Sequence, residues 1–559
     1  MKKEKAYERL RGYMNPDLKA GKWYMVLSFV MIAVAVAATV AVLYYICGPM
    51  EGELHSDFTD TILWSEASLV SGKIFNPDFA YAGLLPFSAN LWFIPLIAIF
   101  GLGMKAQVIG MVIFALVFIG SVYFMCRSLG WSIPWTMFAI ASLLMVLSSS
   151  AKLREIMWGH VIYYSLILVL LFVSIGITVR LLRIRLSQTA KSILAYVLAA
   201  IWFLLVATDG FQIFAMVILP VAGGLLADVF FDNKRKILDN SHIKPIFIAI
   251  GIIAFGLVGL KLLSVIKGDI SAEYADGHLK LSNAVYWDDH FLSLSENWFS
   301  LLGLDGTFGS LSNIEIGARA LAGIVIVVLP LILIFNYKKI EDDGTKLLLW
   351  AHILVSAVTL GGWIFGNLSG ANWRLTSMLG TSIIASVASV RFFVSQKIEN
   401  GGYALKRLSA VLASGIVLLS LVSFTDVKEM PADYNRDNTL HRLTDKLEEE
   451  GLTYGYATFW RSQAITLLSD SNVQVMMIRT DEGKGVWTDF YQNYYSRYKD
   501  QEGVDKYFVL LSSYEDRQAL ENKQWSDFVS EENPEIIYFE DFIIYVFDRN
   551  LIFDIPEGK

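Results

Sequence analysis

The chain has 559 residues, of which 55% are hydrophobic and 18% charged, with a formal net charge of −7. This balance excludes a soluble globular protein, because several stretches approach or exceed the ~18–20 apolar residues needed to cross a bilayer. No stretch forms a nucleic-acid-binding patch. The two cysteines, Cys47 and Cys126, fall in or beside apolar runs and imply no disulfide framework.

A basic head, "MKKEKAYERLRGYMNPDLKAGK", precedes "WYMVLSFVMIAVAVAATVAVLYYICG". The apolar core is too long for a secretory signal, so it is read as an uncleaved first span. The first loop (48–105) follows. Its stretch "HSDFTDTILWSEASLVSG" predicts an amphipathic helix along the outer membrane surface, with Asp57, Asp60 and Trp64 at i, i+3 and i+7 and Gly72 as the stop. Carboxylates held at such a boundary can serve as a general base, bind a divalent cation, or simply face water.

Further spans are expected near 106–126, 133–150, 159–179, 192–208, 211–231, 245–266, 317–336, 347–366, 376–395 and 408–424. Between them lie the basic clusters "VRLLRIRLSQTAK", "DNKRKILDNSHIK", "NYKKIEDDGTK" and "RFFVSQKIENGGYALKR". The positive-inside trend places all four, with the N-terminus, in the cytoplasm. That works only if the short "FSANLWFIPLIAIFGLG" (87–103) does not cross the bilayer. The expectation is eleven spans in the cell membrane, with the C-terminal part extracytoplasmic.

The outward segments then carry most of the polar residues. Lys152, Arg154 and His160 stand in "AKLREIMWGH", where they bind phosphate or snorkel to the headgroups. Asp209 in "ATDGFQ" is a functional carboxylate near membrane depth or a turn former. Asp288 and Asp289, in "WDDH" of the long loop 268–316, contact substrate or face water. Arg374, in "GANWRLT", suits bidentate phosphate recognition, with a salt bridge to a first-loop acid as the alternative.

Residues 425–559 hold 27 acidic and 14 basic side chains, net −13, against +6 for residues 1–424. This shift marks a second domain. "TLHRLTDKLEEEG" and "YEDRQALENK" predict helices, and "VQVMMIR", "KYFVLLSS" and "IIYFEDFIIYVFD" predict strands, together a small α/β domain. The aromatic-rich "GYATFWRSQAITLLSD" and "WTDFYQNYYSRYKD" offer a sugar-stacking surface, or pack and dock the domain.

An Asp-bearing helix ending in Gly follows the first span, then the Pro-led "LLPFSANLWFIPLIAIFGLG", then a span ending in "VYFMCRSLG". This order, over residues 20–180, resembles the N-terminal module of the GT-C glycosyltransferases, in particular the protein-mannosyltransferase and aminoarabinose-transferase-like group (family 39-like). The resemblance implies a polytopic α-helical membrane domain with a C-terminal soluble α/β domain. It implies inverting transfer of a sugar from a polyprenyl-phosphate carrier to a glycan, lipid or protein acceptor. The matching first-loop acid is Asp57, as catalytic base or metal-associated acid, with Asp60 as neighbour or substitute. A divalent metal, Mg or Mn, is the cofactor such a site would take. Phe58 and Thr61 stand where the family often has an acid and a Tyr, and Leu84-Leu85 replaces its Glu-Lys pair, which leaves metal dependence open. The alternatives are a transporter or flippase of a lipid-linked substrate and a non-catalytic glycan-assembly subunit.

Overall fold

A computed structural model describes residues 22–184, 190–231, 240–272, 280–304, 312–395, 402–432, 438–481 and 483–551. The basic N-terminal head and parts of three of the four basic clusters lie outside these residues. Among the described residues, ten helices are long and apolar enough to cross a membrane: Tyr24–Cys47, Met104–Ser128, Tyr163–Arg183, Ala190–Ala207, Gly210–Phe231, His242–Lys267, Asn313–Phe335, Asp343–Ile364, Asn372–Val394 and Lys406–Glu429. Helices satisfy their own backbone polar groups, which lipid cannot do. Phe29, Phe230 and Phe247 stay exposed on their outer sides, as a lipid-facing surface requires.

The eleventh expected span, near 133–150, takes a different form. Its helix Ile133–Val146 has 14 residues, about 21 Å, and turns by 118° into Ala151–Gly159. The serine run Ser148–Ser150 sits at the bend, and the Ser150 hydroxyl caps the new helix by accepting the Leu153 N–H. The last five residues, Glu155–Gly159, form a π turn. The short segment 87–103 contains only the seven-residue helix Ile94–Phe100, closed by Gly101 at φ +82°. At about 10 Å it is too short to cross.

The first loop also departs from expectation. Ser56–Thr59 is a 3₁₀ turn, the α-helix begins at Asp60 and runs to Ser71, and Gly72 ends it in the left-handed region at φ +64°. Instead of lying on a surface with one wet face, this helix is buried continuously from Asp60 to Ser68. Its Ile62, Leu63 and Ala67 join the main hydrophobic core, and Gln492, Tyr494 and Arg497 of the C-terminal domain meet its Asp60, Trp64 and Glu66.

That domain holds a six-stranded sheet: β1 (Tyr454–Thr458), β2 (Gln474–Asp481), β3 (Gly485–Thr488), β4 (Tyr507–Ser512), β5 (Glu535–Phe539) and β6 (Phe542–Phe547), in the order β3-β2-β1-β4-β6-β5. The central β2, β1 and β4 are parallel, and β3, β6 and β5 pair antiparallel. Every residue of β1 and β4 is buried, as expected of parallel strands covered on both faces. The chain is thus a polytopic α-helical membrane protein with an added α/β domain.

Candidate functional site

The 3₁₀ turn after the first span aims Asp57 away from the helix that follows. Its side chain lines a cavity of about 1530 Å³ between the loop face of the helix array and the C-terminal domain. The wall includes Asp269 and Trp373 from two other loops, and Thr458, Trp460 and Tyr514 from the domain. Five segments distant in sequence therefore meet at one face of the molecule.

Asp57 belongs to a compact cluster. His55 lies beside it, Nδ1 to Oδ2 3.9 Å, and turns Nε2 to Glu155 Oε2 at 3.3 Å. Glu155 is presented by the π turn and also pairs with Lys152. Donor atoms of His55, Asp57 and Glu155 all lie within 4.8 Å of one another, a spacing one cation can bridge. One imidazole with two carboxylates fits a divalent ion; the carboxylates suit Mg or Mn, and the imidazole widens the choice to Zn. Burial raises the Asp57 carboxyl above its usual range, while His55 pulls it back.

Asp60, one turn further, has another role. It is buried, and the Gln492 side-chain amide donates to its Oδ1, while Gln492 Oε1 accepts the Trp64 indole N–H at 2.7 Å. Burial, and then the Asp57 charge, push the Asp60 carboxyl well above the ordinary range. His160 lies 3.9 Å from Asp60 Oδ2 and stacks on Phe58. Burial lowers its imidazole to about 4, so it is neutral near pH 7. Further along the same loop, Glu66 accepts from Tyr494 and from Arg497 at 3.0 Å, and Asp78 accepts from Ser496. The aromatic-rich stretch "FYQNYYSRY" is thus a docking strip against the first loop.

The other expected residues are placed as follows. Lys152 stays beside the cluster, its ammonium on Glu155 and 4.6 Å above the Trp373 ring. Arg154 is held by Glu53, which also accepts the Tyr45 hydroxyl at 2.7 Å. Arg374 is buried, with Nη1 donating to the Asn367 carbonyl at 2.5 Å. Asp209 is buried, and its Oδ1 accepts the Phe87 and Ser88 N–H groups at 2.8 and 3.3 Å. Asp288 and Asp289 are exposed in the first turn of helix Trp287–Leu301, away from the cavity wall. Lys152 thus joins Asp57, whereas Asp288 and Asp289 stand apart.

Sequence reasoning missed His55 and Gln492, and it treated Glu155 only as a neighbour of the basic pair. His55 was readable as a histidine two positions before the key acid. Gln492 carried no signal beyond its place in an aromatic stretch.

No protein-family model matches the chain, and no curated protein does. Among solved structures, the chain is similar to ArnT from Cupriavidus metallidurans bound to undecaprenyl phosphate, with a TM-score of 0.51 at 10% identity over 94% of this chain and 98% of that one. A second similarity is to the Archaeoglobus fulgidus oligosaccharyltransferase in complex with Zn and sulfate, at TM-score 0.49 and 13% identity, over 91% and 72% of the two chains. A third is to the oligosaccharyltransferase AglB of the same organism with an inhibitory peptide and a dolichol-phosphate, at TM-score 0.48 and 13% identity, over 95% and 75%. At these identities the likeness to ArnT concerns the fold.

Proposed function

We propose that this protein transfers a sugar from a polyprenyl-phosphate-linked donor to an acceptor hydroxyl on the extracytoplasmic face, with Asp57 as general base. The observation that carries this reading is the position of Asp57: a partly buried carboxylate, beside His55 and Glu155, at a cavity that adjoins the loop face of an apolar helix array. A lipid carrier reaches that cavity from the membrane, and a soluble or surface acceptor reaches it from the other side. The fold shared with an ArnT structure bound to undecaprenyl phosphate supports the lipid-phosphate carrier.

In this reading the Asp57 carboxylate takes the proton of the acceptor hydroxyl as its oxygen attacks the anomeric carbon. The bond from that carbon to the phosphate oxygen breaks, the configuration inverts, and polyprenyl phosphate leaves with the electron pair. Lys152, paired with Glu155 beside Asp57, is a cation that would aim at the leaving phosphate once it swings from Glu155, which relieves charge developing on that oxygen. His55, Asp57 and Glu155 would hold a divalent cation, which would supply further positive charge at the same place. In this assignment Asp60 is a structural carboxylate that ties the loop to the C-terminal domain.

The test is transfer in proteoliposomes with a panel of polyprenyl-phosphate sugars, with and without a chelator. One donor should support transfer, and the chelator should suppress it until a divalent ion is restored. Movement of the lipid-linked sugar across the bilayer without any transfer would replace this reading with that of a flippase.

A further inference from the structure

The C-terminal domain contributes more than a cover. In an open α/β sheet, ligands bind in the crevice at the carboxyl ends of the parallel strands, where successive connections diverge to opposite sides. Here the divergence lies between β1 and β4: the chain leaves β1 towards β2 on one side, and β4 lies on the other. The residues directly after both strands line the same cavity as Asp57. The domain's own ligand crevice therefore opens onto the first-loop carboxylate.

The chemistry of this crevice is specific. At its centre Glu515 accepts from Thr458 Oγ1 at 2.6 Å and from Arg461 Nη1 at 2.9 Å, so the polar groups are held in fixed directions. On either side stands an aromatic ring that the fold leaves uncovered. Trp460, after β1, is 56% exposed, and Tyr514, after β4, is 61% exposed. Tyr538 is also exposed, but it stands away from this cavity, whereas Trp460 and Tyr514 both line it. Trp460 also contacts the His55 ring edge to face at 5.4 Å, which brings the platform within one side chain of Asp57.

We infer that this crevice is the acceptor subsite and that the acceptor is a carbohydrate, with a sugar ring laid on Trp460 and Tyr514. A sugar has an apolar C–H face that packs on an aromatic ring and hydroxyls that pair with a fixed carboxylate–guanidinium set. A peptide backbone would favour an open strand edge for pairing, and β1 and β4 are both interior strands. The lipid carrier enters from the helix array, so the opposite wall, formed by this domain, falls to the acceptor. The assignment of the bound sugar as acceptor rests on the proposed transfer reaction; the sugar subsite itself does not.

The experiment uses the full-length protein in nanodiscs. Saturation-transfer NMR with glucose, galactose, N-acetylglucosamine and mannose should show saturable binding of at least one sugar. Trp460→Ala and Tyr514→Ala should each weaken that binding about tenfold, or ~1.4 kcal/mol, and Tyr538→Ala, at an exposed ring outside the cavity wall, should leave it within twofold. Where transfer is measured, both variants should raise the KM for a glycan acceptor and leave that for the lipid donor unchanged. Absence of saturable binding by all four sugars, or binding untouched by both variants, overturns the subsite. Transfer to a peptide or lipid acceptor that is indifferent to both variants overturns it as well. Intact sugar binding with no transfer from any donor would instead remove the glycosyltransferase reading and leave the subsite standing.

Discussion

The first loop and the long loop around residues 280–304 make an instructive pair. Each carries two nearby acids and flanking aromatics, and each leaves the same face of the helix array. In the first loop, Asp57 lines a cavity and Asp60 is buried under Gln492. In the long loop, Asp288 and Asp289 are exposed on helix Trp287–Leu301, beside exposed Phe291 and Leu292. The difference is not in the acids. The first loop is latched at Asp60, Glu66 and Asp78 by one strip of the C-terminal domain, and among the described residues 280–304 of the long loop no hydrogen bond to that strip is found. A carboxylate becomes useful when its neighbours fix its direction and partly remove its water.

The strongest way to break this contrast is at Asp57. Asp57→Asn keeps the size and the turn but cannot take a proton. Transfer in proteoliposomes should fall by about 10²–10⁴-fold, the usual contribution of a general base. Expression and thermal stability should stay close to the parent, because the residue opens on a cavity. A fully active variant would remove Asp57 from the mechanism.

The next largest effect is expected at the latch. Gln492→Ala leaves the buried Asp60 carboxyl and the Trp64 indole N–H without partners, at about 1–3 kcal/mol for an unsatisfied buried group. The docking strip should loosen, which limited proteolysis of the C-terminal domain would reveal. Turnover should fall while the KM for the lipid donor changes little, since the carrier enters from the membrane side. A variant with parental stability and turnover would show that the latch does not hold the loop.

Much of this contrast was readable from the sequence, but unevenly. The helix array follows from long apolar runs, and 87–103, expected not to cross, holds only a seven-residue helix. Strands β2, β4, β5 and β6 stood out because alternating or short apolar runs are bounded by turn residues, whereas β1 and β3 lay hidden in or beside the aromatic-rich stretches. The bend after Val146 was missed, because three serines in an apolar run lower hydropathy only slightly. The burial of the first-loop helix was also missed: amphipathic spacing shows which side is polar, and not whether water or a protein domain covers it. Gln492 could not be found, since a glutamine that binds an acid 432 positions away leaves no local pattern.

A pH-dependent test sharpens the anchoring of the same loop. Burial pushes the Asp209 carboxyl up to about 7 from its ordinary value of 3.8. The folded state therefore holds the proton more tightly than the unfolded chain. The stability this proton contributes is fully present below pH ~4 and is lost as the pH rises through about 7. Asp209→Asn keeps an acceptor for the Phe87 and Ser88 N–H groups but cannot titrate. The parent should lose on the order of 1 kcal/mol relative to the variant between pH 5.5 and 8, seen as a shift of a few degrees in the thermal midpoint. Parallel midpoints across that range would exclude a titrating Asp209.

The smallest effect belongs to the long loop. Asp288 and Asp289 are exposed in the first turn of their helix, where a negative charge interacts favourably with the helix dipole by a few tenths of a kcal/mol. Replacing both by Asn should cost no more than that in stability and change transfer less than twofold. The paired design matters because Asp57→Asn is the same chemical change at an equally short acidic motif. Loss of transfer in the long-loop variant, with folding intact, would mean that the loop closes over the cavity during the reaction. The contrast between the two loops would then describe only the resting arrangement, with the exposed acids reaching the substrate after it binds.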